Sequence, residues 1–240
     1  SDRALVEGAA LLGLPAGAVG EVVRDSLETP RLRRGDGRAA GGRLQVVDLS
    51  ALWAGPMCGA VLAAMGARVT RIESSRRPDP TRTSTPEFFR RLNGAKCDLS
   101  LDLAEARGQA RLRDAVDGAD ILITSARPRA FEGLGLDPGD VFAANPGLVW
   151  VAVTAYGWSG AAASRVGFGD DTAAAGGLVR WTAGGAPRFL GDAVADPVTG
   201  LAAAVGALQA IEAGGGFLVD ISLAGSAAGA AALCGLRRAA

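Results

Sequence analysis

The sequence predicts an α/β fold, a largely parallel sheet flanked by helices. Three observations carry that prediction. Short apolar runs alternate with helical stretches along most of the chain. Runs such as residues 120–124 (DILIT) and 148–155 (LVWVAVTA) read as buried strands. The pair 44–49 (LQVVDL) and 68–73 (RVTRIE) encloses a helical stretch, a βαβ-like unit with the usual right-handed crossover. No repeat with a period of 20–50 residues is present.

The elements follow in order. Residues 1–15 read as a short Ala/Leu-rich helix that stops near Gly13 and Pro15. Residues 29–43 are rich in Arg and Gly without periodicity and read as a linker or exposed loop. The chain thus divides into an N-terminal helix and linker, 1–43, and a main domain, 44–240. After the strand at 44–49, Trp53, Gly55 and Pro56 open a helix over 57–65 that Gly66 closes. Residues 74–86 hold three prolines and several hydroxyl residues, so they are a loop. A short helix at 87–92, a strand at 97–103, a helix at 104–116 and a strand at 120–124 come next. Asp137 is placed to cap a helix over 137–145, with Pro138 in its first turn. A strand at 148–155, a Gly/Ala/Ser-rich loop at 157–170 and a short helix at 171–178 follow. A long Ala-rich helix at 194–212, a strand at 217–223 and a helix at 224–236 complete the pattern.

Composition removes several function classes. The chain has 240 residues, the size of one large α/β domain or two small ones. Lys+Arg and Asp+Glu both number 25, which disfavours a nucleic-acid binder. No apolar run approaches the roughly 18 residues of a membrane span, and no signal peptide is readable. Cys58, Cys97 and Cys234 are far apart, form no CxxC pair and are read as structural, with a reducing cytoplasm as the default. There is no histidine. That removes Ser-His-Asp and Cys-His hydrolysis, a His general base and His-ligated metal, so no metal site is expected.

Four places could carry chemistry. The turn at 48–59 leads into a helix N-terminus, which attracts anions. Glu73, at the end of the next strand, resembles the acid that holds a ribose in dinucleotide folds. The G-x-G-x-x-G fingerprint is absent, however; Gly55 and Gly59 are spaced G-x-x-x-G and could equally serve close helix–sheet packing. Arg76, Arg77 and Arg82 could clamp phosphates by forked hydrogen bonds, or form a solvated charged loop. Asn93 and Lys96 place the only lysine just before a strand, as a phosphate partner or an ordinary surface lysine. Asp170, Asp171, Asp192 and Asp196 gather in the later half. Asp170–Asp171 could be a like-charge pair, or one could cap the following helix. Asp196, before Pro197 at a helix start, is a cap or, more rarely, a nucleophile.

The order of motifs resembles the class III CoA-transferases, the CaiB/BaiF family. The resemblance rests on VVDLS at 46–50, AGPMC at 54–58, MGARVTRIE at 65–73 and Asp79-Pro-Thr-Arg82. It continues through Phe88-Phe89, LNGAK at 92–96, LSLDL at 99–103, Arg127-Pro128, Leu134-Gly-Leu136, NPGLV at 145–149, DPVTG at 196–200 and GFLVDIS at 216–222. It implies a Rossmann-like large domain, and a homodimer or a partner chain that completes the active site. It implies transfer of CoA from an acyl-CoA to a carboxylic acid through an aspartyl anhydride and an aspartyl-CoA thioester. By the same resemblance Asp196 is the nucleophile. Lys96, Arg82, Arg76 and Arg77 would meet the CoA phosphates, and Ala54, Gly55, Pro56 and Met57 its pantetheine or adenine end. Coenzyme A is then a substrate, and no tightly bound cofactor is expected.

The sequence also departs from the family pattern. Ser74 stands where Arg often follows the strand-end glutamate, Gly133 where Arg precedes the Leu-Gly motif, and Gly169 where an acid is frequent. The chain is shorter than the family, and residues 8–31 resemble the end of its small domain. Three alternatives follow: an α-methylacyl-CoA racemase-like enzyme, whose histidine is missing from residues 167–171, a non-catalytic CoA-binding subunit, and a generic Rossmann nucleotide binder, weakened by the absent G-x-G-x-x-G.

Overall fold

The structure is a computed structural model that describes residues 2–37 and 42–236. The chain runs α1 (Asp2–Leu11), β1 (Arg31–Arg33), β2 (Gln45–Asp48), α2 (Ala54–Ala64), β3 (Arg68–Ser74), α3 (Thr81–Ser84), α4 (Pro86–Asn93), β4 (Cys97–Leu101) and α5 (Ala106–Asp117). It continues β5 (Ile121–Thr124), α6 (Arg129–Glu132), α7 (Pro138–Ala144), β6 (Val149–Thr154), α8 (Gly169–Ala175), β7 (Val179–Trp181), β8 (Pro187–Phe189), α9 (Ala195–Glu212), β9 (Phe217–Ser222) and α10 (Leu223–Leu233).

Seven strands form one sheet in the order β1-β9-β6-β5-β2-β3-β4. Every pairing is parallel except β1 against β9, so the α/β reading holds with one antiparallel edge strand. β5 and β6 at the centre are buried at every position, which is why their sequences carry no polar alternation. One face of the sheet packs Val46, Ile121, Val151 and Val219 against α2, α9 and α10. The other packs Leu122, Trp150 and Leu218 against α5 and α7, with the Trp150 indole N–H donating to Thr124 Oγ1 at 2.9 Å. Asp137 caps α7 as its sequence predicts, accepting N–H bonds from Gly139 and Asp140.

Several elements differ from the sequence reading. Arg31–Arg33 pairs with β9 although residues 29–43 read as a linker; residues 38–41 of that stretch lie outside those described. The Pro-rich loop contains the single turn α3. α2 begins at Ala54 rather than at 57, and α8 at Gly169 rather than at 171. The β7–β8 hairpin and α6 were not legible. Cys58 is buried, but Cys97 and Cys234 are exposed, so the structural reading fits Cys58 alone.

Small residues bring α2 and α9 together. A Cβ on Gly200 would lie 2.7 Å from the Ala54 carbonyl oxygen and 2.9 Å from the Met57 Cβ. Gly55 is equally constrained, since a Cβ there would lie 2.3 Å from the Ser50 Cβ. Gly55→Ala therefore overpacks a junction with no flexible neighbour. It is expected to cost about 1–3 kcal/mol, read as a fall in Tm of roughly 2–12 °C in thermal denaturation.

Candidate active site

The α2–α9 contact sets the position of Asp196. Asp196 is the second residue of α9, but it does not cap that helix. Its Oδ1 instead accepts the N–H of Ala54, the first residue of α2, at 3.3 Å. The first N–H groups of a helix have no partner within it, and the N-terminus carries partial positive charge. The carboxylate thus lies at the start of its own helix and against the start of a second. Oδ2 faces Gly169, where a Cβ would approach to 2.1 Å, so only glycine lets the chain pass this close.

Burial pushes the Asp196 carboxyl up to about 6. The Ala54 N–H opposes that rise, while Asp170, Asp171 and Asp192 add to it. A carboxylate with this pKa is mostly ionised at neutral pH, yet is less solvated than a surface acid. That combination suits a nucleophile.

Asp196 opens into a cavity of about 420 Å³. Ala54, Gly55 and Phe168 line it, together with Arg77, Arg127 and Arg165. Arg77 is exposed and its guanidinium has no partner among the described residues. Arg127 makes one 3.4 Å bond to the Ser164 carbonyl. Arg165 is more committed, bonding Glu21 at 2.7 Å and the Ala16 carbonyl at 2.8 Å while lying over the Tyr156 ring.

Of the residues singled out from the sequence, Ala54, Gly55, Arg77 and Asp196 meet at this cavity. The others are placed elsewhere. Lys96 is fully buried, and its ammonium donates at 2.8 Å to Asp48 Oδ2, the Pro56 carbonyl and Asn93 Oδ1. All three of its N–H bonds are made inside the fold, which leaves none for a phosphate. Pro56 and Asn93 belong to the same internal knot, and Met57 packs on Gly200. Glu73 accepts from Arg71 at 3.0 Å, Arg82 at 2.6 Å and the Asp79 N–H at 3.0 Å, so its oxygens are not free for a ribose. Arg82 is shared between Glu73 and Asp98 and lies over the Phe89 ring. Arg76 pairs with Asp102 and Glu105 on the surface. Of the acidic pair, Asp171 accepts the Phe168 N–H at 2.7 Å at the head of α8, and Asp170 accepts the Ala193 N–H at 2.7 Å.

Sequence pattern does not single out Arg165 as a site residue, and it marks Arg127 only as part of an Arg-Pro motif. Their common cavity depends on loops far apart in the chain, and no local spacing announces it. Among the described residues no cluster of His, Cys, Asp and Glu could hold a metal ion, and no helix is long and apolar enough to cross a membrane.

Comparison with known proteins agrees with this architecture. The family model described as CoA-transferase family III matches residues 43–234. The chain is 31% identical over 193 residues to the succinyl-CoA–D-citramalate CoA-transferase of Chloroflexus aurantiacus, covering 75% of this chain and 48% of that one. It is 36% identical over 117 residues to human alpha-methylacyl-CoA racemase, covering 49% of this chain and 28% of the racemase. Among solved structures, a CAIB/BAIF family protein from Brucella suis superimposes with a TM-score of 0.74 at 28% identity, covering 82% of this chain and 56% of that one. The chain spans about half the length of the curated relatives it matches.

Proposed function

The chain belongs to CoA-transferase family III, and from that premise we propose that it moves CoA between an acyl-CoA and a carboxylic acid, with Asp196 as the nucleophile. The observation that carries this reading is the ionisable Asp196 carboxylate, held by the Ala54 N–H at the mouth of a cavity with arginines on its wall.

The steps balance without a proton donor. An Asp196 oxygen attacks the thioester carbonyl carbon, the C–S bond breaks, and CoA leaves as the thiolate, giving a mixed anhydride. The thiolate attacks the aspartyl carbonyl and releases the donor acid as its carboxylate, leaving an aspartyl-CoA thioester. The acceptor carboxylate attacks that thioester and expels the thiolate, which then takes the new acyl group. Asp196 returns as a carboxylate. No histidine is required. Each tetrahedral intermediate carries an oxyanion, which the partial positive charge at the start of α2 stabilises. Arg77 and Arg127 are the cations free enough to meet a phosphate or the carboxylate of the acid.

The racemase alternative needs a second group to move the α-proton, and residues 167–171 beside Asp196 contain no histidine. The commitment of Lys96 and Arg82 to internal partners removes two expected phosphate contacts from the transferase and from a non-catalytic CoA-binding subunit alike, so it does not favour the subunit. A homodimer or partner chain completing the cavity, in the cytoplasm, is part of the proposed reading.

The test is CoA exchange. Unlabelled acyl-CoA and an isotope-labelled carboxylic acid should give the labelled acyl-CoA. CoA binding without exchange or adduct would favour the subunit. Loss of α-deuterium without exchange would favour the racemase. Because burial raises the Asp196 pKa to about 6, the rate of acyl-adduct formation should be flat above pH 7 and fall about tenfold per pH unit well below 6. A midpoint near 4, the ordinary carboxylate range, would contradict the desolvated site.

A further inference from the structure

Leu52 and Ala193 are the only non-glycine residues with positive φ among those described, at 67° and 46°. The left-handed conformation is unfavourable for any residue with a Cβ, so something must hold each one there. Both stand beside Asp196. Leu52 is two residues before Ala54, whose N–H meets Asp196, and the Ala193 carbonyl accepts the Asp196 N–H at 2.9 Å.

Each is held by a carboxylate. The Leu52 N–H donates to Asp79 Oδ2 at 2.9 Å. Asp79 is itself fixed: its Oδ1 accepts the Thr81 N–H at 2.9 Å and the Thr81 hydroxyl at 2.6 Å, and Oδ2 lies 3.5 Å from the buried Arg71 guanidinium. The Ala193 N–H donates to Asp170 Oδ1 at 2.7 Å. Asp170 follows Gly169, against which the Asp196 carboxylate lies.

We propose that Asp79 and Asp170 are positioning residues for Asp196. By pinning the N–H of Leu52 and of Ala193 in left-handed turns, they fix the start of α2 and the start of α9 relative to each other. The Ala54 N–H and the Asp196 carboxylate then meet without reorganising during the reaction. Neither aspartate lines the cavity into which Asp196 opens. This rests on the reading of Asp196 as nucleophile.

Glycine adopts positive φ without steric penalty, so it relieves the turn without restoring the carboxylate, and a rescue assigns the loss to the turn rather than to the missing charge. Adduct formation is measured at pH 8, where Asp196 stays ionised when a neighbouring charge is removed. Asp79→Ala and Asp170→Ala should each slow it tenfold or more, with the dissociation constant for free CoA changed less than twofold. Adding Leu52→Gly to the first and Ala193→Gly to the second should recover at least fivefold. Asp79 is buried, so if its variant fails to fold, the Asp170 and Ala193 pair decides. Unchanged rates in folded single variants, or losses that glycine does not relieve, would overturn the proposal.

A second readout does not depend on reactivity: the pKa of the Asp196 carboxyl, followed by carbon NMR. Asp170, Asp171 and Asp192 raise it, the Ala54 N–H lowers it, and Arg77, Arg127 and Arg165 line the same cavity. Loosening the Leu52 turn in Asp79→Ala should raise it by half a unit or more, and Leu52→Gly should reverse the rise. Should the wild-type chain form no adduct, the nucleophile reading fails, and this titration alone decides the positioning claim.

Discussion

Asp196→Asn is expected to abolish the acyl adduct and to make the protein more stable. Asparagine keeps an oxygen for the Ala54 N–H but has no charge to desolvate. In the wild-type protein the folded pKa stands at about 6 against an ordinary 3.8. The folded state therefore binds the proton more tightly than the unfolded chain does. Stability falls as pH rises from about 4 to 6, and the full cost is present above the folded pKa. At about 1.4 kcal/mol per unit, replacing the carboxylate should gain up to about 3 kcal/mol at pH 7. The gain should shrink to about 0.5 kcal/mol at pH 4 and vanish only below the unfolded pKa, where both states are protonated. Thermal denaturation of the two proteins at pH 4 and pH 7 checks it: the Asn variant should melt several degrees higher at pH 7 and only about 1–2 °C higher at pH 4. Equal melting temperatures at pH 7 would show that Asp196 is not desolvated as described. A gain in stability on removing a reacting group is the usual mark of a functional site rather than a structural one.

Lys96→Met should have the opposite effect, and a larger one. Its ammonium and the Asp48 carboxylate are both wholly buried, 2.8 Å apart. Asp48 also accepts the Ser50 N–H and hydroxyl at the turn before α2. Removing the lysine leaves the Asp48 charge without its cation in a dry interior. Breaking a pair of this kind costs about 3–5 kcal/mol, or roughly 6–20 °C in Tm for a domain of this size. Asp48→Asn added to Lys96→Met should restore part of the loss, because no unpaired charge then remains. CoA affinity of the folded fraction should be unchanged. A Lys96 variant with normal Tm and weakened CoA binding would return the lysine to the phosphate role that its sequence context suggested.

These residues show what was legible in the chain. β5 and β6 were readable because strands buried on both faces are nearly continuous apolar runs, and theirs are apolar up to the closing Thr124 and Thr154. β1 and the β7–β8 hairpin carry no such signal: three residues each, and mostly exposed. The sequence placed Asp196 at a helix start and left capping and catalysis both open. The partner that separates them is the N–H of Ala54, 142 positions earlier in the chain, and local pattern does not show a backbone group at that range. Lys96 failed for the same reason. Neither a phosphate ligand nor a surface lysine describes it, since its three partners come from β2, α2 and α4. The turn at Leu52 was invisible because leucine gives no hint of positive φ.

The most direct test is the intact mass of the protein after incubation with a panel of acyl-CoAs, quenched with hydroxylamine and mapped by peptide analysis. A modification confined to Asp196, absent from Asp196→Asn, is the predicted result. A protein that binds CoA tightly yet carries no modification at Asp196 with any donor would contradict the nucleophile and leave a binding subunit in its place.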